Sequence, residues 1–178
     1  MRGLYGNLED VSTALQRFKE QDILDLQVWF NLTWCGHTLM AMPSVQALFQ
    51  KGQGFTEVEK GELLSTQREF LHQIVPLYRR LQDCGQIEVS ISPFYHPILP
   101  LLCDTGEASV AMPDAHLPSP GFSHPDDARQ QIERSIRFYR DRFGSSPHGM
   151  WPSEGSVSPA VVRLAAEAGL SWIATDDA

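Results

Sequence analysis

Four short runs dense in apolar, β-branched and aromatic residues, at 25–32 (DLQVWFNL), 86–91, 148–151 and 170–175, alternate with stretches of helical period. That alternation constrains the fold more than any other feature. Strand–helix–strand units close by right-handed crossovers, which gives a parallel sheet with helices outside it. The helical stretches carry their own start and stop signals. Val11, Leu15 and Phe18 place a first helix at 9–19. Thr56-Glu57-Val58-Glu59 reads as a capping box that opens a long helix at 57–83, with Pro76 marking a kink and Gly85 a stop. Between them, 34–53 is irregular apart from a short helix near 43–50. Further helices are expected at 126–143 and from Ser158-Pro159 to Gly169, while 92–97 is a loop and 104–125, rich in Pro, Gly and Ser, is a long surface excursion.

The fold class expected from this order is α/β, built of parallel strand–helix repeats. A complete barrel of eight such units takes ~250 residues, more than the 178 present. The chain also stops directly after its last expected strand, so it reads either as a small open sheet or as an incomplete segment of a barrel. Its hydrophobic and charged fractions, 42% and 20%, are those of one soluble globular domain. A net charge of −8 argues against a broad nucleic-acid-binding face. Cys35, Cys84 and Cys103 lie far apart with no CxxC pair, the pattern of reduced thiols rather than of a disulfide or zinc site. No run of ~18 apolar residues suggests a membrane span, and the N-terminus lacks a basic region followed by an apolar one. A cytoplasmic location is therefore expected.

In parallel α/β folds chemistry collects at the C-terminal ends of the strands. The first expected strand delivers Asn31 and Trp34, with His37 nearby; the second carries Glu88 and leads to Tyr95 and His96; the third delivers Trp151 and Glu154, and the fourth Asp176 and Asp177. Glu154 lies in Gly149-Met150-Trp151-Pro152-Ser153-Glu154-Gly155, a carboxylate on a turn between a strand and a helix, beside an indole. Carboxylates among aromatic rings suit sugar chemistry: one can attack an oxocarbenium-like centre while a ring stacks on the apolar face of a pyranose. Plainer readings stand beside each residue. Glu154 can stabilise the N-terminus of the helix that follows, Glu88 can be a partnered strand residue, and His96 a hydrogen-bonded structural histidine. The tryptophans can be core, and Asp176-Asp177 two exposed residues at a frayed end.

The tract from Gly85 to Leu102 (GQIEVSISPFYHPILPLL) closely resembles the second signature region of glycoside hydrolase family 57. Gly149 to Gly155 resembles its third, and Trp29-Phe30-Asn31-Leu32-Thr33-Trp34 resembles a tract between the first two. The resemblance runs from about residue 20 to the end. It implies a (β/α)7 barrel, retention of anomeric configuration and activity on α-glucans, as in α-amylases, amylopullulanases, branching enzymes and 4-α-glucanotransferases. Carried over by position, Glu154 matches the catalytic nucleophile, Glu88 the glutamate of the second region, and Trp151 an aromatic beside the nucleophile. His96 shares the second region and is expected near the sugar; Tyr95, Trp34 and Asp176 complete the expected substrate contacts. The family's first region, a His-Gln-Pro tract, is absent, and its fourth, which supplies the aspartate acid/base, does not match Asp176 or Asp177. Residues 1–178 are thus expected to be part of a catalytic barrel truncated at both ends, with little activity alone.

No metal or organic cofactor is needed for this double displacement. Two rival readings remain. A metal-dependent polysaccharide deacetylase would use Asp176, Asp177 and His96 as ligands, although no HxxxH pair follows the aspartates. A noncatalytic glucan-binding module would keep the Trp151 and Tyr95 rings without turnover. The expected partner in each case is a glucan or related polysaccharide, with no nucleic acid and no membrane. The edges of an unclosed barrel could also pair into a homodimer.

Overall fold

In a computed structural model of the protein, residues 18–176 are described. The helix expected at 9–19 lies outside them but for Phe18 and Lys19, which precede the first described helix. Asp177 also lies outside. The chain divides after Ile74 into two compact units.

The first unit is helical. α1 (Glu20–Thr33), α2 (His37–Met40), α3 (Pro43–Lys51) and α4 (Glu57–Leu71) pack around Val28, Leu32, Leu39, Val45, Leu48, Phe55 and Leu63. The expected strand at 25–32 is therefore a correction: it is the body of α1. Val28 and Leu32 are buried, with Leu24 packed against the same core, while Leu26 and Phe30 are exposed. That is a repeat of four, which puts one helical stripe inward; a strand would have buried alternate residues. α3 matches the short helix expected near 43–50.

The long helix expected at 57–83 is two helices. α4 is opened by the capping box, in which the Glu59 amide donates to Thr56 Oγ1 and the Thr56 amide to Glu59. It ends at Leu71, and α5 (Ile74–Asp83) begins after His72 and Gln73. Pro76 is not a kink within one helix. It occupies the first turn of α5, where its missing N–H has no intrahelical acceptor to lose.

Asp25 ties α1 to the loop before α4. Its carboxylate accepts from the backbone amides of Gly54 and Phe55 and from Gln21 Nε2, each at 2.8 Å. These bonds, that from Gly54 foremost, hold the Asp25 carboxyl below its ordinary value, and Lys51 Nζ at 2.7 Å does the same for Glu59. A carboxylate with a lowered folded-state pKa adds stability above its unfolded pKa and loses it as pH falls through the folded one. Thermal unfolding of this unit is expected to move to lower temperature as pH drops below about 4, and Asp25→Asn is expected to flatten that slope. A slope unchanged in both Asp25→Asn and Glu59→Gln contradicts the assignment.

The second unit carries the sheet. β1 (Gly149–Met150) pairs in parallel with β2 (Trp172–Ile173), Gly149 beside Trp172 and Met150 beside Ile173. Ile91 forms a single parallel bridge to Met150 on the other side. Three extended segments thus run side by side with β1 in the middle, and the described residues give a mostly helical α/β protein with a two-stranded parallel sheet. The four strands expected are corrected to this. The stretch 86–91 contributes only Ile91, 148–151 and 170–175 shrink to two residues each, and 25–32 is helix. A strand needs at least two consecutive bridged residues, which β1 and β2 give each other, whereas Ile91 makes one isolated bridge.

Helices cover the sheet. α6 (Leu99–Cys103), α8 (Pro125–Phe143) and α9 (Pro159–Glu167) bury Leu99, Cys103, Ala128, Ile132, Ile136, Val161 and Leu164 against Ile91 and Met150. The excursion at 104–125 includes a 3₁₀ turn, Thr105–Glu107, and one helical turn, α7 (Ala108–Ala111). All three cysteines are free thiols, and burial pushes the Cys103 thiol up, which keeps it protonated and inert. Ser158 caps α9 as its sequence predicts, accepting from the Val161 amide while itself buried. Ser158→Ala is expected to cost about 1 kcal/mol in chemical denaturation; a change below a few tenths would leave the cap without weight.

Candidate active site

The three segments of the sheet end on the same side, and the candidate residues follow those ends. After Ile91 the chain enters Pro93–His96, a turn closed by the His96 amide donating to the Pro93 carbonyl at 2.9 Å. After Met150 it passes Trp151, whose amide donates to the Ile91 carbonyl at 2.7 Å, and enters a 3₁₀ turn, Ser153–Gly155. Pro152 and Ser153 are fully buried and anchor that turn; Glu154 projects from it, exposed. After Ile173, Thr175 donates its hydroxyl to the Gly155 carbonyl at 3.0 Å. This bond brings the end of β2, with exposed Asp176 next to it, onto the glutamate turn.

His96 and Glu154 meet here. His96 Nδ1 lies 3.9 Å from Glu154 Oε1, with 60% and 70% of the two side chains exposed. The imidazole is an ion-pair partner when protonated and a weak polar neighbour when neutral. Both residues have left-handed backbone, φ 58 for His96 and φ 55 for Glu154, and they are the two non-glycine residues of positive φ among those described. Such a conformation costs of order 1–2 kcal/mol for a residue with a Cβ. Two strained positions facing each other at strand ends mark a place where geometry outranks local stability.

Trp151 and Tyr95 flank the pair, 59% and 66% exposed. Both rings are largely exposed, as residues that stack on sugars must be. Glu88 is elsewhere. It precedes Ile91 and accepts from Trp172 Nε1 at 2.9 Å, at the end of the sheet where the strands begin. The structure therefore groups His96, Trp151, Glu154 and the segment of Asp176, with Tyr95 adjoining, and leaves Glu88 at the opposite end of the strands. Trp34, 73% exposed, belongs to the first unit, where with Asn31, His37 and Gln67 it lines a cavity of about 460 Å³. Thr175 and Trp172 were not singled out as site residues by the sequence. The position of Thr175 next to Asp176 at a strand end was the available signal.

Among the described residues no group of three His, Cys, Asp or Glu side chains is placed to hold a metal ion. No described helix is long and apolar enough to cross a membrane.

The model of glycosyl hydrolase family 57 matches residues 6–178. The chain belongs to this family. An α-amylase of Dictyoglomus thermophilum is 34% identical over 98 residues, 55% of this chain and 11% of that protein. A 4-α-glucanotransferase of Thermococcus litoralis is 27% identical over 117 residues, 66% of this chain and 14% of that one. The chain thus matches only a small part of the length of these relatives. A solved α-amylase from Thermotoga maritima aligns with 94% of this chain and 27% of its own at 14% identity, with a TM-score of 0.46, too loose a likeness to place further strands. In this family 57 chain Glu154 sits on a left-handed turn with His96 3.9 Å away.

Proposed function

We propose that this chain carries the nucleophile half of a retaining glycoside hydrolase or transglycosylase acting on α-glucans, with Glu154 as the nucleophile. The observation that supports it best is the Glu154 carboxylate, held on a strained turn at the end of β1 and facing His96 at 3.9 Å. Family membership supplies the chemistry, and the relatives named as an α-amylase and a 4-α-glucanotransferase supply the substrate class.

In this reading the Glu154 oxygen attacks the anomeric carbon of a bound glucose unit, forming a glycosyl ester as the bond to the leaving oxygen breaks. A second carboxyl about 5–5.5 Å away gives that oxygen its proton, then takes one from the incoming hydroxyl. Water as acceptor gives hydrolysis; a sugar hydroxyl gives transfer. His96 orients the Glu154 carboxylate, Trp151 and Tyr95 stack on sugar rings, and Asp176 accepts hydrogen bonds from sugar hydroxyls. Trp34 offers a further stacking face in the first unit. Glu88 enters through Trp172, whose indole it holds against the start of β1.

The test is covalent trapping in the full-length protein. Incubation with a 5-fluoro-α-glucosyl fluoride is expected to add one glycosyl mass to the peptide bearing Glu154, and proton NMR is expected to show the α-anomer formed first. Label on another residue, or the β-anomer as first product, contradicts the assignment.

A further inference from the structure

One face of α8 builds the loop that bears Tyr95 and His96. Ser135 Oγ donates to the Ser92 carbonyl at 2.6 Å. One turn earlier, Gln131 accepts twice from the loop: its backbone carbonyl from the Phe94 amide at 3.4 Å and its side-chain Oε1 from the Tyr95 amide at 2.9 Å. The Arg134 guanidinium lies 4.3 Å from the Phe94 ring centroid and 4.9 Å from that of Tyr95. Phe94 in turn meets Tyr95 edge-on, rings perpendicular at 4.9 Å, and Phe138 at 5.6 Å. Residues 131, 134, 135 and 138 share one stripe of the helix by their spacing.

These contacts fix an exposed ring. A Tyr side chain 66% exposed would ordinarily sample several rotamers. Here Arg134 backs one ring face, Phe94 meets it edge-on, and Gln131 pins the backbone from which it projects. The ring keeps most of its surface in solvent, one residue from His96. Holding a stacking ring in place before the ligand arrives removes ordering cost from binding.

We propose that Gln131 and Arg134 are positioning residues that act through Tyr95, holding its ring as a stacking platform for a glucose unit of an α-glucan. The inference rests on the glucan chemistry proposed for Glu154. Neither residue touches the sugar; each sets affinity by fixing the ring that does.

Calorimetric binding of maltoheptaose to the full-length Glu154→Gln protein tests this without turnover. In that background Arg134→Leu is expected to weaken binding about fivefold, the scale of one cation–π contact, and Gln131→Leu by a similar factor. Gln131→Glu keeps an oxygen acceptor for the Tyr95 amide and is expected to stay within about twofold of the parent. If the Gln131→Leu variant does not fold, the Arg134→Leu comparison decides the test. The decisive comparison is a double-mutant cycle with Tyr95→Ala. Once Tyr95 is gone, Arg134→Leu is expected to weaken binding no further. Equal losses with and without Tyr95, or no loss when Tyr95 is present, overturn the inference and leave the proposed function standing. Absence of maltoheptaose binding with every positioning residue intact removes the proposed function, and the inference with it.

Discussion

Glu154→Gln in the full-length protein is expected to lower kcat by roughly 10³–10⁴-fold, the loss seen when one chemical group leaves a catalytic centre. Glutamine is nearly isosteric and keeps the polar contact with His96, so KM and unfolding temperature are expected to change little. Steady-state kinetics on maltoheptaose with parallel thermal melts check both halves. A second comparison separates chemistry from backbone. Glu154→Ala and Glu154→Gly both lack the carboxylate, yet the φ of 55 suits glycine and not alanine. The glycine variant is expected to be the more stable of the two by about 1 kcal/mol, with both expected to be inactive. Equal stability would mean that the turn relaxes freely, and the strain would then not hold the carboxylate.

Gly149→Ala is expected to be strongly destabilising in the second unit. A Cβ at position 149 would fall 1.9 Å from the Trp172 ring, where no side-chain atom can sit. The ring cannot move aside cheaply, because Glu88 holds its Nε1 at 2.9 Å and the backbone of Trp172 is in register with Gly149. The Gly149 carbonyl is also engaged, accepting from the Ile91 amide at 3.0 Å. Relief requires the indole to leave or β1 to separate from β2, at a cost of about 3 kcal/mol or more. Urea denaturation followed by circular dichroism reads this directly. The diagnosis has an internal check: adding Trp172→Leu to Gly149→Ala is expected to recover most of the loss. If the double variant is as unstable as Gly149→Ala alone, the clash is not the cause.

Those two positions show what the sequence could and could not disclose. Helix starts were readable because their signals are local. Thr56 with Glu59, and Ser158 before Pro159, act within one turn, and the capped helices stand where those residues put them. Residues 25–32 misled because Val28, Trp29 and Phe30 suit a strand as well as a helix. Only the inward repeat of Leu24, Val28 and Leu32 decides the matter, and seeing it requires the packing partners on α3 and α4. The grouping of the candidate residues was partly legible for a general reason: strand ends lie together in a parallel sheet, so His96, Trp151 and Glu154 could be grouped from chain order alone. The resemblance to family 57 singled out the same residues. Glu88 could not be placed this way. Three residues before a single bridge, it falls at the wrong end of a strand whose length no sequence pattern gave. Gln131 and Arg134 carry no local signal, since a Gln and an Arg on a helix surface are commonplace until a loop folds over them.

The pairing of Ile91 with Met150 and of Met150 with Ile173 has a kinetic consequence. No two of these positions are close in sequence, so each pairing must close a long loop, and such non-local contacts form slowly compared with helices. The helices of this unit can assemble while His96 and Glu154 are still far apart. The pair comes within reach only when the Ile91 segment has paired with β1. If the proposed function holds, appearance of glucan affinity during refolding would therefore time the Ile91–Met150 pairing, lagging the far-ultraviolet signal of the helices.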